Sequence, residues 1–400
     1  VTTPEPLVLA DARLPDGTAV DIALADGRIQ AVRPAGAATS SGARLDCGGA
    51  LVSTSFVEGH IHLDKTLLGL PLIPHQPGAS VAERIRNEKI LRRGLALPVE
   101  ARGGRLIEQI VAFGTGVVRS HVDIDTELGL SGLEALLRLK QSYADLIDIQ
   151  IVAFPQSGIL RDPGVADLLD AALGAGADLI GGLDPAGIDG DIGGHLDVVF
   201  RLAQNHGAGV DIHLHDPGPL GAFELRDIAA RARAAGLGGR VAVSHAYALG
   251  AIDDMDFGRT AAALAEAGVA LMTNAPGAGV MLPVLRAAAA GVTVFAGSDN
   301  IRDAWWPYGN GDMLDRARII GYRQGFYVND DIAHAFAMTT SLASSVLFPG
   351  ENRSLAPGAP ADLVLLPSPD IPTAVLDAPI ARTVIKRGRI VAREGWLSPR

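Results

Sequence analysis

A chain of 400 residues, 48% hydrophobic and 20% charged, has a globular composition; this excludes intrinsic disorder and allows one large core or two to three ordinary domains. The formal charge of −11 is spread without a basic block, which argues against nucleic acid or anionic membrane as partner and leaves small molecules as the default. The single cysteine, Cys47, excludes an internal disulfide, a Cys-rich zinc site and a Cys-x-x-Cys redox pair, so any metal must be held by His and carboxylates.

The opening Val-Thr-Thr-Pro-Glu-Pro stretch has no basic region followed by an apolar run. Nowhere do about 18 uncharged apolar residues stand together, so a soluble, cytoplasmic protein is expected. Residues 7–50 alternate apolar and polar, with turn signals at Pro15-Asp16-Gly17 and Asp26-Gly27. Eight short β-branched runs follow, at 51–59, 116–122, 148–154, 178–183, 209–214, 240–245, 268–273 and 291–297. Amphipathic helical patterns such as 131–145, 193–206 and 222–235 separate them, as parallel strands require a crossover to return to their neighbour. Residues 361–396 alternate again. The expected architecture is an α/β protein: a TIM-like (β/α)8 barrel over 54–353 and one small β-sandwich built from both ends, 1–53 and 354–400. A doubly wound open sheet would be expected to carry Gly-x-Gly-x-x-Gly after an early strand, and none is present.

In a parallel barrel the strands' carboxyl ends open onto the active-site face. Those ends carry His60 and His62, His121 and Asp123, Gln156, Asp184, His213 to Asp216, His245, Asn274, and Asp299 with Asn300, which places six of ten histidines at one end of the barrel. Scattered surface histidines would not be expected to converge so. His60 and His62, two apart on a strand, project to the same side, as two nitrogens reaching one cation must. A His-x-His pair alone also fits a surface or hydrogen-bonded core pair; His213, His245 and Asp299 at later strand ends tip the balance to metal. His213 and His215 share a face, and spacing leaves open which is the ligand. Gln156 offers a donor and an acceptor that match the amide-like edge of a pyrimidinone or triazinone ring, or caps its strand. Trp305 and Trp306, two of three tryptophans, share one loop. One of them, Trp305 in our reading, forms an apolar wall for a planar ring while the other packs. Lys65, one of four lysines, meets a ring oxygen or pairs with Asp64 or another nearby acid.

His-x-His ending the first barrel strand, His on the fifth and sixth and Asp on the eighth resemble the amidohydrolase superfamily, whose members also build a β-sandwich from both chain ends. FVEGHIHLDKT (56–66), AFPQSGIL (153–160), SHA (244–246) and GSDNIRDAWWPYGNGDML (297–314) are similar to its cytosine deaminase branch. IDIQIVAF (147–154), GGLDPA (181–186) and DIHLHDPG (211–218) look most like that branch's triazine-degrading members. The resemblance implies His60, His62, His213 and Asp299 as ligands of one divalent cation, with Zn2+ preferred to Fe2+ for nitrogen and oxygen donors. Superfamily members with two metals commonly bridge them through a modified lysine on the fourth strand; DLIGGLDPA has none. It also implies His245, Asp299 and Asp216 as catalytic groups, and Gln156, Lys65, Asn300, Trp305 and His215 as substrate contacts. Asp216 stands where cytosine deaminases carry a Glu proton shuttle and Asn300 where they carry a second Asp, departures shared with the triazine enzymes.

The implied reaction replaces an exocyclic amino or alkylamino group of a small nitrogen heterocycle by oxygen. Pyrimidine deamination, cyclic amide hydrolysis and a non-catalytic metal-binding barrel are the alternatives. The expected partner is a small heterocyclic substrate, with neither nucleic acid nor membrane; a homo-oligomer is compatible with the sequence.

Overall fold

Alternating strands at the two ends and near-continuous apolar strands in the middle sort into two different sheets. The computed structural model describes residues 5–37, 42–76 and 78–399; residues 1–4 of the amino-terminal stretch, 38–41 of the first flank and Arg400 lie outside the described residues. From the amino end come β1 (Leu7–Arg13), β2 (Ala19–Ala25), β3 (Arg28–Pro34), β4 (Ala43–Asp46) and β5 (Leu51–Thr54). The central strands are β6 (Phe56–Ile61), β7 (Thr115–Asp123), β8 (Asp148–Phe154), β9 (Leu179–Leu183), β10 (Gly209–Leu214), β11 (Val241–His245), β12 (Val269–Thr273) and β13 (Val294–Ala296). The carboxyl end adds β14 (Leu363–Leu366), β15 (Thr383–Lys386), β16 (Arg389–Arg393) and β17 (Trp396–Leu397).

The terminal strands form one nine-stranded mixed sheet, ordered β17-β16-β15-β14-β5-β1-β2-β3, with β4 pairing parallel to β1. The expectation that both ends meet in one β-unit therefore holds. β6 to β13 pair in chain order into an eight-stranded parallel sheet. Every residue of β6, β7, β9 and β10 is buried, as expected where helices cover the outer face. The helices Ser131–Ser142, Ile192–His206 and Gly218–Ala234 lie where amphipathic patterns predict them.

Two strand expectations change. The run 51–59 is two strands in two sheets, Leu51–Thr54 pairing with β14 and Phe56–Ile61 with β7. The run 291–297 shortens to Val294–Ala296 because the Val292 N–H closes the preceding helix by donating to the Ala287 carbonyl (3.1 Å).

The first and eighth strands meet through a parallel bridge between Ile61 and Asp299, with the Asp299 N–H donating to the His60 carbonyl at 2.7 Å. Two glycines allow this approach. A Cβ on Gly59 would lie 2.5 Å from the Ala296 carbonyl oxygen, and one on Gly297 would lie 2.6 Å from the His60 Cβ. Two buried cations of the carboxyl-terminal flank fasten the mixed sheet to the barrel. Arg382 grips Asp312 through two 2.8 Å contacts, while Lys386 donates to Asp148 (2.8 Å), Asp362 (2.9 Å) and the Gly116 carbonyl (3.0 Å).

Gly297→Ala should open this seam, because its contact is with backbone that cannot swing aside. The expected result is a loss of at least about 1–3 kcal/mol in denaturant unfolding, the usual range for overpacking, together with reduced metal binding.

Candidate metal centre and active site

His60 and Ile61 end β6, and His62 follows directly, beyond the last strand residue. His213 lies on β10, and Asp299 follows β13 at the closing seam. These four residues each offer a ligand atom, and the atoms all lie within 4.8 Å of one another. His60 Nε2 and His62 Nε2 stand 3.5 and 3.3 Å from Asp299 Oδ1, and the Nε2 atoms of His213 and His62 are 3.4 Å apart. Burial, with the Lys65 ammonium second, pushes the His62 pKa well down; burial, with the neighbouring imidazoles second, does the same to His213. Both rings are therefore neutral and carry a lone pair. Burial would raise the Asp299 pKa, but the close approach of the His60 and His62 rings holds it well below the usual carboxylate range. Buried nitrogens without any hydrogen-bond partner include His60 Nε2, His62 Nδ1, His213 Nδ1 and His245 Nε2. Imidazole Nε2 atoms of His60, His62 and His213 gathered at one carboxylate, with His60 Nε2 lacking a hydrogen-bond partner, fit a divalent cation with borderline donors.

A buried relay sets the tautomer of His60. The Ser244 hydroxyl donates to Asp211 Oδ1 (3.1 Å), since a carboxylate can only accept. Its oxygen is thereby left to accept from His60 Nδ1–H (2.8 Å), which turns the Nε2 lone pair toward the cluster. His60, His121 and Asp211 form a second group of potential ligands, but Asp211 Oδ2 is already paired with Arg119 (2.9 Å). A fixed guanidinium at that distance opposes a further cation.

The structure separates His213 from His215. Asp184 accepts the His215 backbone N–H (2.5 Å) and Nδ1 (3.0 Å), so that ring is clamped outside the four-residue group. It stacks on His245, with ring centroids 4.4 Å apart. Burial, with His215 second, pushes His245 well below the ordinary imidazole pKa, so it is a neutral base. Its Nδ1 faces the Tyr247 hydroxyl (3.3 Å), which also reaches Asn274 Oδ1 (3.4 Å). The Asn274 amide donates to Asp299 Oδ2 (2.9 Å), leaving Oδ1 to the histidines. His245 and Asp299 both adopt positive φ, 76° and 62°, a backbone strain of about 1–3 kcal/mol each that clusters at functional sites.

Asp216 is buried beside β10, where its Oδ2 accepts the Gly187 N–H (2.9 Å). Burial first, then Asp184, raises its pKa. Glu224, fully buried on the following helix, is within hydrogen-bonding reach of Asp216 and is pushed up to about 8 by burial and by that neighbour. Two carboxyl groups so placed share a proton at neutral pH.

Gln156 and Trp305 come together although 149 residues separate them, through Glu88 of the helix Val81–Arg92. Lys65 donates to Gln156 Oε1 and lies 3.1 Å from Asp123 and 3.6 Å from Glu88, so it occupies the ion-pair setting among nearby acids, though Asp64 is not the partner in contact. Trp305 packs beside Phe154, which stacks on His213 at 4.1 Å, whereas Trp306 is 40% exposed. Asn300 is not brought into the metal group; its amide donates to Asp303 (2.7 Å), whose other oxygen accepts the N–H groups of Trp305 and Trp306. Sequence reasoning did not assign roles to Asp184, Glu88, Tyr247, Asn274, Ser244, Asp211 or Glu224. Asp184 and Asn274 at least stand at strand ends, the signal that found the others.

The fold and these residues define a barrel protein with a buried divalent-metal site at its strands' carboxyl ends. The model of the Amidohydrolase family matches residues 87–392, and the chain belongs to the amidohydrolase family. Over 354 residues, 88% of each chain, it is 33% identical to the N-isopropylammelide isopropyl amidohydrolase of Pseudomonas sp. (strain ADP). The crystal structure of N-isopropylammelide isopropylaminohydrolase from Burkholderia multivorans superposes with a TM-score of 0.94 at 40% identity, covering 99% of this chain and 100% of that one. The 5-methylcytosine deaminase of Klebsiella pneumoniae, liganded with 5-fluorocytosine, gives 0.86 at 29% identity over 97% of both chains.

Ser244→Ala should cut metal affinity about 10- to 100-fold, the usual worth of a group that orients a ligand, as measured by chelator competition. His60→Ala should abolish tight binding in the same assay.

Proposed function

We propose that the chain hydrolyses the exocyclic C–N bond of a small nitrogen heterocycle, releasing ammonia or an alkylamine, with an alkylaminotriazine as first substrate. The observation that carries this reading is the four-residue ligand group with His245 and Asp216 beside it, in a chain 40% identical along 99% of its length to a triazine aminohydrolase. Three imidazoles and a carboxylate favour Zn2+ over Fe2+, and the Arg119–Asp211 pair together with the lysine-free fourth strand favours one cation per chain. That cation, when bound, lowers the pKa of water toward neutrality. Its ligands are His60, His62, His213 and Asp299.

The protein's own groups move the protons. His245, neutral and with Nε2 unpaired, and Asp299, oriented by Asn274, accept and hold the proton of the attacking water. Asp216 carries a proton to the ring nitrogen, and its raised pKa, from burial and Asp184, is what a donor near neutrality requires. The ring carbon gains oxygen, the C–N bond breaks, and the amine leaves with the proton. Phe154 and Trp305 supply the apolar wall for a planar ring, and Gln156 its polar edge contact.

A pyrimidine deaminase is the second reading, favoured by the 29% identity to the 5-methylcytosine enzyme and by Gln156, and disfavoured by Asp216 and Asn300. Cyclic amide hydrolysis lacks its bridging lysine, and a non-catalytic metal-binding barrel leaves the raised pKa of Asp216 and the unpartnered His245 Nε2 unused. Among the described residues no helix is long and apolar enough to cross a membrane. A cytoplasmic setting suits its one free cysteine, Cys47.

Amine release from alkylaminotriazines, measured beside cytosine on metal-analysed protein, tests the reading: turnover of the triazine with about one zinc per chain is expected. Turnover of cytosine alone would establish the second reading, and no amine release from either ring would overturn both. Asp216→Asn should lower kcat by about 10²–10⁴ at unchanged metal content. Near-normal kcat would remove Asp216 from the proton path.

A further inference from the structure

The helix Val81–Arg92 lies outside the barrel pattern and buries only two side chains, Ile85 and Glu88. Ile85 enters the apolar group of Phe154, Leu183 and Ile188, against which Trp305 packs. Glu88 is the unusual one: a carboxylate 5% exposed on a helix whose other charged side chains are half-buried or exposed. Acids are almost never buried so fully without partners, and Glu88 has three. Its Oε2 accepts from Gln156 Nε2 (2.6 Å) and from the Trp305 indole N–H (2.5 Å), and Lys65 Nζ lies 3.6 Å away. Those partners come from the segments after the first, third and eighth barrel strands, and they are the residues our reading sets against the substrate.

The chemistry of these contacts leaves one arrangement. An ammonium can only donate and a carboxylate can only accept, so Gln156 between Lys65 and Glu88 must turn Oε1 to the lysine and Nε2 to the glutamate. Its amide cannot flip. One acceptor position on Oε1 and one donor position on Nε2 remain, in a fixed order, for a ring edge. The same carboxylate sets the plane of Trp305. Lys65 stays charged because Asp123 and Glu88 outweigh the burial that would lower its pKa. Its cation in turn keeps Glu88 in place.

We propose that Glu88 is a positioning residue that fixes the donor–acceptor order of the substrate-binding edge, by holding Gln156, Trp305 and Lys65 in one arrangement, and so selects rings whose N–H and C=O groups stand in the matching order. The proposal rests on the aminohydrolase reading. It assigns Glu88 no part in the bond-breaking step.

The test is Glu88→Gln, which keeps the volume and removes the charge. In zinc-loaded enzyme, kcat/KM for an alkylaminotriazine should fall about 10- to 100-fold, mainly through KM, with zinc content and circular dichroism unchanged. In a Gln156→Ala background the same substitution should cost clearly less than in the wild type, because the part of the glutamate's effect that passes through the amide is already lost. Additive losses in the double variant, or a loss confined to kcat, would overturn the proposal. Ligand-free protein gives a second readout: Glu88→Gln should shift tryptophan emission, and the shift should vanish in Trp305→Phe. An unchanged spectrum would likewise overturn it. Should Glu88→Gln fail to fold, Glu88→Asp, which keeps the charge but pulls it back by one methylene, takes its place with the same expected loss and emission shift. If wild-type enzyme releases no amine from triazine or pyrimidine, the aminohydrolase reading falls, and the emission measurement alone decides whether Glu88 holds the indole.

Discussion

Closure of the barrel between its first and eighth strands is the constraint on which the rest of the molecule depends. The Asp299 N–H reaches the His60 carbonyl only because Gly59 and Gly297 have no Cβ in the seam. That one contact brings a carboxylate to two histidines that lie more than two hundred residues away in sequence. With the seam shut, three imidazoles and one carboxylate are removed from water together, a desolvation of several kcal/mol per charge if no cation compensates. Neutral His62 and His213 beside an ionised Asp299 follow from this crowding.

Around that centre the polar groups fall into two sectors with different physics. On one side, Asp184, Asp216 and Glu224 crowd, among the described residues without a lysine or arginine in contact, and against the effect of burial Asp184 raises the pKa of the clamped His215. Crowded acids hold protons. On the other side, Asp123 and Glu88 keep the buried Lys65 charged, and its contacts with them and with Gln156 are fixed donor–acceptor pairs.

The mixed terminal sheet bears on the site indirectly. Arg382 grips Asp312, the N-cap of the helix Met313–Gln324, just beyond the loop that carries Asp299 and Trp305. A buried bidentate pair is costly to break from one side, about 3–5 kcal/mol. The loop over the active site is accordingly anchored at one end by the closing seam and at the other by a side chain from the far end of the chain.

The sequence by itself determined what depends on short-range periodicity. Short β-branched runs and their helical crossovers located the eight barrel strands, and the rule that strand ends face the site picked out His60, His62, His213, His245 and Asp299. Two of its expectations failed locally: run 51–59 belongs to two sheets, and run 291–297 loses its first residues to a helix terminus. Only the tertiary structure set His213 and His215 apart: spacing puts both on one side, whereas Asp184, from the neighbouring strand's end, captures the second, which lies beyond β10. It alone showed Glu88 turned inward: within ERIRNEKILRR a glutamate reads as a solvated helix face, and its burial depends on three partners that are distant in sequence. Spacing along a strand or helix is fixed by backbone geometry and is visible in one dimension, whereas the pairing of buried charges is fixed by which segments approach in space.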